Sequence, residues 1–337
     1  MFDQLQRAEE ISGSELDSFP ETLAENGRPV VLRGAFRDWA FVRAALQSDE
    51  DAADYLGSFY NGRPVSTVVA PASEQGRFFY RPNAKELNFQ RSDQVLTNVL
   101  KGLLQQRDSA EPIAIALQAV SAADCLPGIE QDNPNRLVPP GTPARVWIGN
   151  RVTVAPHFDV ADNLACVAAG RRRFILFPPE QTANIYPGPM DVTPANVPVS
   201  MVSLDAPELE QFPRYREALA AALVADLEPG DAIYIPYLWW HGVQSLGGFN
   251  VLMNYWWTRD EVSARHPYGA LLHLAYLLFR DMPPTHREGW RALFDHYVFQ
   301  MGGDPMEALE EPHRYYPAKL EPEKVARLKD ALRELLG

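Results

Sequence analysis

The stretch "APHFDVADNLACVAAGRRRF", residues 155–174, decides how the chain is read. It sets His157 two residues before Asp159 within a predicted strand, and side chains at i and i+2 of a strand share a face. An imidazole and a carboxylate can therefore converge on one point. "NLACVAA" then predicts a second strand, and the stretch closes on Arg171, Arg172 and Arg173. By strand alternation Arg172 faces opposite to its two neighbours, so one or two of the three point inward. A lone buried arginine is costly, so an inward one needs an anionic partner.

Working outward, short strands dominate residues 144–257: "ARVWIGN", "NLACVAA", "RRFILFPP", "DAIYIP", "HGVQSL" and "FNVLMNYWW". Turn signals at Pro178-Pro179, Pro229-Gly230-Asp231 and Gly247-Gly248 punctuate them. Many short strands at this spacing predict a double-sheet jelly roll or barrel. One helical insertion is expected at about 208–225, where "ALAAALVA" is a good helix former.

Before this core the pattern is mixed. Ser14, Glu15 and Asp17 predict the start of a short helix ending near Asn26-Gly27. "WAFVRAALQSDEDAADYLGSF" reads as helix, and "SDQVLTNVLKGLLQQ" (92–106) as an amphipathic helix capped by Ser92 or Asp93. "RPVVLRG", "PVSTVVA", "GRFFYR" and "PIAIALQAV" read as strands. Beyond residue 260 the strands stop, and three helical segments follow (266–280, 287–301, 322–336). The first two are apolar over much of their circumference, and such a helix must be buried against something. The fold expectation is mainly β with flanking helices. Residues 1–258 form a domain with an N-terminal α/β elaboration and a core at 144–258, and 259–337 form a helical region.

The 337 residues are 46% hydrophobic and 22% charged, an ordinary globular composition. A net charge of −13 disfavours broad nucleic-acid binding. Cys125 and Cys166 alone make neither a disulfide framework nor a cysteine-rich zinc site, so a reducing, cytoplasmic setting is expected. No secretory h-region stands at the start, and no apolar run approaches the ~18 residues of a membrane span.

Of seven histidines, His266, His273, His286, His296 and His313 belong to the helical part. Only His157 and His241 sit among the strands, and His241 follows "IYIPYLWW". Strands distant in sequence are neighbours in a jelly roll, so His241 can meet His157 and Asp159. Two imidazoles and one carboxylate form a facial triad with open positions, the ligand set of non-haem Fe(II) oxygenases. Taken alone, H-x-D more often marks an ordinary surface or core histidine than a metal site.

"HFDVADNLACVAAGRRRFILFPPEQ", "FPRYREAL", "LEPGDAIYIPYLWWHGVQSL" and "NVLMNYWW", in that order, resemble the cupin-like JmjC family of 2-oxoglutarate oxygenases. That family includes the asparaginyl hydroxylase acting on hypoxia-inducible factor and a wybutosine-pathway tRNA hydroxylase. The resemblance is strong over 144–257 and weaker over "RPVVLRG…W". It implies a double-stranded β-helix, Fe(II), 2-oxoglutarate as cosubstrate, O2, and hydroxylation of a C–H bond. It puts the metal ligands on His157, Asp159 and His241. Asn163 and Asn254 fall on asparagines near the metal-bound end of the cosubstrate, and Gln118 on a family glutamine. Arg172 stands at the spacing of the base that grips the distal carboxylate, a lysine in the asparaginyl hydroxylase. Arginine serves there through two parallel hydrogen bonds.

Two family positions differ. Ala116 replaces a tyrosine that helps hold the distal carboxylate, and Val154 replaces a threonine. Tyr80 or Thr153 is the expected compensation. Trp256, two residues beyond Asn254, is expected to wall the pocket. Trp147, Trp239, Trp240 and Trp257 read as packing residues, and Cys166 as a small apolar one. The resemblance favours a protein or peptide side chain as substrate, with a small molecule second. It also implies a homodimer built through the C-terminal helices. Other readings of the residues are a non-catalytic metal-binding sensor module and a zinc or manganese isomerase or hydrolase on the same barrel.

Overall fold

The computed structural model describes residues 2–81, 86–195, 197–258, 268–305, 307–308 and 322–336. In chain order its strands are β1 (Gln6–Arg7), β2 (Glu9–Ser12), β3 (Val30–Arg33), β4 (Val65–Ala70), β5 (Arg77–Phe78), β6 (Gln90–Gln94), β7 (Ala114–Ser121), β8 (Ala144–Gly149), β9 (Thr153–His157), β10 (Asp162–Ala169), β11 (Arg172–Phe177), β12 (Leu223–Leu227), β13 (Ala232–Ile235), β14 (Trp240–Ser245) and β15 (Asn250–Trp257). One sheet runs β1-β12-β11-β14-β9-β5, and the other β2-β3-β13-β10-β15-β8-β7-β4-β6. Two sheets built from strands that alternate between them make the expected jelly-roll core.

Alternation along β10 shows how the core is filled. Ala165 and Val167 join Phe174, Leu176, Val243, Ile233 and Leu252 in a cluster drawn from both sheets. Leu164, Cys166 and Ala168 point the other way, into a cluster with Trp39, Phe41, Leu56, Leu96 and Leu103. The N-terminal helices therefore cover the outer face of the large sheet. Both faces of β10 are buried, so the strand is apolar throughout rather than alternating.

Several local expectations need correction. The helix near the N-terminus is Glu21–Glu25, because Pro20 disfavours helical backbone at Phe19. Residues 40–58 form two helices, Ala40–Ala45 and Asp49–Ser58, and Ser48 caps the second by accepting from the Asp51 amide at 3.0 Å. "QRSDQ" is β6, paired with β4, and the helix after it begins at Leu96 without a side-chain cap. The insertion helix is only Tyr215–Ala220, and "LVADL" pairs with β11 as β12. In that last case ladder hydrogen bonds and burial in the inter-sheet core override helix propensity.

The chain divides into two compact units, 1–266 and 267–337. The second contains helices Tyr268–Phe279, Pro284–Tyr297 and Pro322–Leu336, with Leu271, Leu277, Phe299 and Met301 exposed. His266 and His313 lie outside the described residues. No helix among the described residues is long and apolar enough to cross a membrane.

Candidate active site

His241 on β14 pairs directly with His157 on β9, and their ring centroids are 4.4 Å apart. The ladder shifts by one between this pair and Val243↔Val154, so Ala155 and Pro156 together face the single Gly242. That bulge re-aims His157 at the end of its strand. It depends on glycine, since a Cβ on Gly242 would sit 2.8 Å from Leu204 and 3.2 Å from Pro156. Asp159 lies just past the end of β9, a correction to the expectation that it shares a strand with His157. Its carbonyl accepts from the Leu238 amide at 3.0 Å, which ties the Asp159 turn to the approach to His241.

The two histidines are oriented by the same device. His157 Nδ1 lies 3.0 Å from the Ala155 carbonyl, and His241 Nδ1 lies 3.0 Å from the Trp239 carbonyl. Each Nδ1–H donates to that carbonyl, which leaves Nε2 as the ligating atom. His241 Nε2 is 3.5 Å from Asp159 Oδ2, and the ligand atoms of His157, Asp159 and His241 all lie within 4.8 Å of one another. Three such atoms at that separation can hold one metal ion. Burial, then the neighbouring His241, push the His157 pKa down to about 4 against the pull of Asp159. The imidazole is thus neutral and ligand-ready at physiological pH.

Asp159 is held from outside. The Asn163 amide donates to its Oδ2 at 3.0 Å and the Trp256 indole N–H to the same atom at 2.9 Å. Asn254 donates to Asn163 Oδ1 at 3.3 Å and accepts from the Trp147 indole at 2.8 Å. The two asparagines and Trp256 therefore form one chain ending on the triad carboxylate.

The triad, Asn163, Asn254, Trp256, Gln118 and Arg172 all line one cavity of about 290 Å3. Neither Tyr80 nor Thr153 lines it; Tyr80 packs with Phe79, Ala155 and Val199 instead. Ala116 packs behind the lining residue Phe78, with Val152, and does not itself line the cavity. Cys166 is fully buried, and burial raises its thiol pKa.

The three arginines separate cleanly. Arg171 is exposed. Arg173 is paired with Asp226 at 2.6 Å and Asp3 at 3.1 Å. Arg172 is 6% exposed; among the described residues its Nη2 reaches only the Trp147 carbonyl at 3.5 Å, and its buried Nε has no partner. Burial alone lowers its pKa, to about 10, so it remains a cation at neutral pH. A buried guanidinium without a carboxylate is destabilising and fits a site shaped for an anionic ligand. The residues present thus suit both a divalent metal and a carboxylate-bearing cosubstrate.

Sequence reading missed three features of this site. Trp147, expected only to pack, meets both Asn254 and Arg172. The bulge opposite Gly242 leaves only the Pro156 and Gly242 identities as its signal. Arg91 also lines the cavity, from an exposed strand whose last three residues overlap the helix expected over 92–106.

Comparison with known proteins places this geometry. Residues 16–262 match the cupin-like domain family. The Arabidopsis thaliana lysine-specific demethylase JMJ31 is 36% identical over 107 residues, 32% of this chain and 19% of that protein. Human HSPB1-associated protein 1 is 34% identical over 123 residues, 36% of this chain and 25% of that protein. The tRNA wybutosine-synthesizing protein 5 of Danio rerio is 32% identical over 146 residues, 39% of this chain and 42% of that protein. The matches thus span from about a fifth to about two fifths of these relatives. The chain belongs to the cupin-like, JmjC-type family, whose members are often Fe(II)/2-oxoglutarate oxygenases.

Proposed function

We propose that this protein is an Fe(II)/2-oxoglutarate-dependent hydroxylase acting on a C–H bond of a protein or peptide side chain. The observation that carries the reading is Arg172, a buried and unpaired cation on the same cavity as a His–Asp–His triad.

His157, Asp159 and His241 would hold the iron, and Arg172 the distal carboxylate of 2-oxoglutarate. When bound, the pair supplies O2-driven oxidative decarboxylation, which yields succinate and CO2 and transfers one oxygen atom to the substrate. The protein's share is positional. Asn163 and Trp256 fix the plane of the Asp159 carboxylate, and Asn254 fixes Asn163. The carbonyls of Ala155 and Trp239 hold each imidazole in the tautomer that presents Nε2. Arg172 is buried and shares the cavity with the apolar Phe174, Val243 and Leu252, so a salt bridge formed there is poorly screened by water. Gln118 reaches the cavity from β7 and belongs to its mouth.

Among the relatives, the names of a lysine-specific demethylase and an HSPB1-associated protein favour a protein substrate. A net charge of −13 weighs against tRNA. The exposed apolar residues of the helical unit, such as Leu271, Leu277 and Phe299, favour a homodimer formed through it, and the sparse cysteines a cytoplasmic setting.

The test is succinate production from 2-oxoglutarate by protein reconstituted with Fe(II), together with calorimetric binding of 2-oxoglutarate to wild type and Arg172→Leu. Binding by wild type and its loss in the variant are expected. Equal binding by both, or none by wild type, would overturn the reading. A truncation after residue 258 that stays soluble and active with an unchanged oligomeric state would overturn the dimer.

A further inference from the structure

We infer that Arg91 and Gln118 form a carboxylate-recognising rim, so that the substrate carries an acidic group near the position that reacts. The inference rests on the oxygenase reading above and names the substrate class for it.

The rim is built by a break in the β7–β8 ladder. Leu117 pairs with Ile148 and Val120 with Val146, so Gln118 and Ala119 together oppose the single Trp147. Ala119 has φ of 52°, a left-handed conformation that residues with a Cβ rarely adopt. Bulges and left-handed residues of this kind gather at functional sites, where they re-aim side chains. The effect here is that two consecutive residues, Gln118 and Ala119, both line the cavity. Regular alternation would send one of them away.

Arg91 reaches the same place from β6, the edge strand of the nine-stranded sheet, whose residues are all exposed. It donates to Gln118 Oε1 at 3.2 Å and to Ser66 Oγ at 3.5 Å. Among the described residues it has no carboxylate partner. With Oε1 engaged by Arg91, Gln118 has its amide N–H groups to offer, and the rim presents donors only.

Charge points the same way. Among the described residues, Arg91, Arg172 and Asp159 are the charged ones lining the cavity. A divalent cation on one carboxylate and two neutral imidazoles leaves one positive charge, and Arg172 adds a second. A dicarboxylate cosubstrate cancels both. Arg91 is then the uncompensated lining charge, at the exposed end and within reach of an incoming substrate. A carboxylate there gains a charge-assisted hydrogen bond from arginine in fork geometry.

The test uses full-length protein loaded with Mn(II) and 2-oxoglutarate and follows binding by calorimetry. The probes are two ten-residue peptide pools, identical except for Asp or Asn at one fixed position, and a set of small carboxylic acids with their carboxamides. The wild type should prefer the carboxylate member by about tenfold, the scale of one charge-assisted hydrogen bond. Arg91→Gln should lose that preference while binding 2-oxoglutarate as the wild type does, and Arg91→Lys should keep part of it. Preference within the peptide pools identifies an acidic peptide, and preference within the small acids a metabolite; either supports the rim. No preference in the wild type, or an undiminished one in Arg91→Gln, overturns it. Mn(II) and 2-oxoglutarate binding is measured before any probe is added. A wild type that binds neither overturns the oxygenase reading, and this inference with it, in a distinguishable way.

Discussion

At the triad end of the cavity the side chains already have their partners. Two backbone carbonyls hold the imidazoles, and Asn163 and Trp256 hold the carboxylate. At the other end Arg172 lies buried with an unpartnered Nε and only a long contact to a carbonyl. The first region is organised by the protein itself. The second is left electrostatically incomplete, and a ligand carboxylate would complete it. The difference separates two kinds of dependence: geometry at the triad is set by folding, whereas stability around Arg172 is set by occupancy.

The strongest way to break this contrast is at the triad. His241→Ala should lower metal affinity by more than about 100-fold, beyond the loss caused by removing an outer partner, as read by calorimetric titration. Next comes the clamp. Arg172→Leu should weaken 2-oxoglutarate binding about 100-fold yet leave the melting temperature of the ligand-free protein equal or higher, because it removes an unpaired buried charge. Arg173→Leu should do the reverse, costing about 1 kcal/mol in denaturant unfolding and leaving cosubstrate binding intact, since its charge is already paired near the surface. Trp256→Phe keeps the ring but removes the donor to Asp159, and should lower metal affinity about tenfold.

Acid should sharpen the comparison further. His157 is depressed from 6.5 to about 4 in the folded, metal-free protein, so the unfolded chain binds the extra proton first. Its contribution to stability is complete above pH about 6.5 and is lost as pH falls towards 4. Urea unfolding of the metal-free protein across that window checks the sign. The smallest effect is expected at the rim, where Ala119→Gly should relieve the left-handed backbone and stabilise the protein by about 1 kcal/mol.

Strand identities, the H-x-D pair, the distal histidine and the inward arginine were legible because they depend on alternation and residue chemistry. Others were not, for separable reasons. "LVADL" follows a good helix-forming run, and only its pairing with β11 makes it a strand. "QRSDQ" has no apolar face at all, and it is a strand because β4 offers it an edge. The bulges at Ala155-Pro156 and Gln118-Ala119 are properties of two strands in register, and no single stretch encodes them. Trp147 reads as a packing residue, and Trp256 only as a pocket wall, because an indole N–H reveals its acceptor only once the sheets are assembled.

The hydrogen bond from Trp256 to Asp159 has a practical corollary. Indole emission responds to charge near the ring, and this indole donates directly to the carboxylate that would carry the metal. Trp147 is coupled to the same chain through Asn254. The protein therefore contains its own optical gauge of site occupancy. Titration with Mn(II) or 2-oxoglutarate can be followed by intrinsic fluorescence without a label, and Trp256→Phe shows how much of the signal belongs to this one of the seven tryptophans.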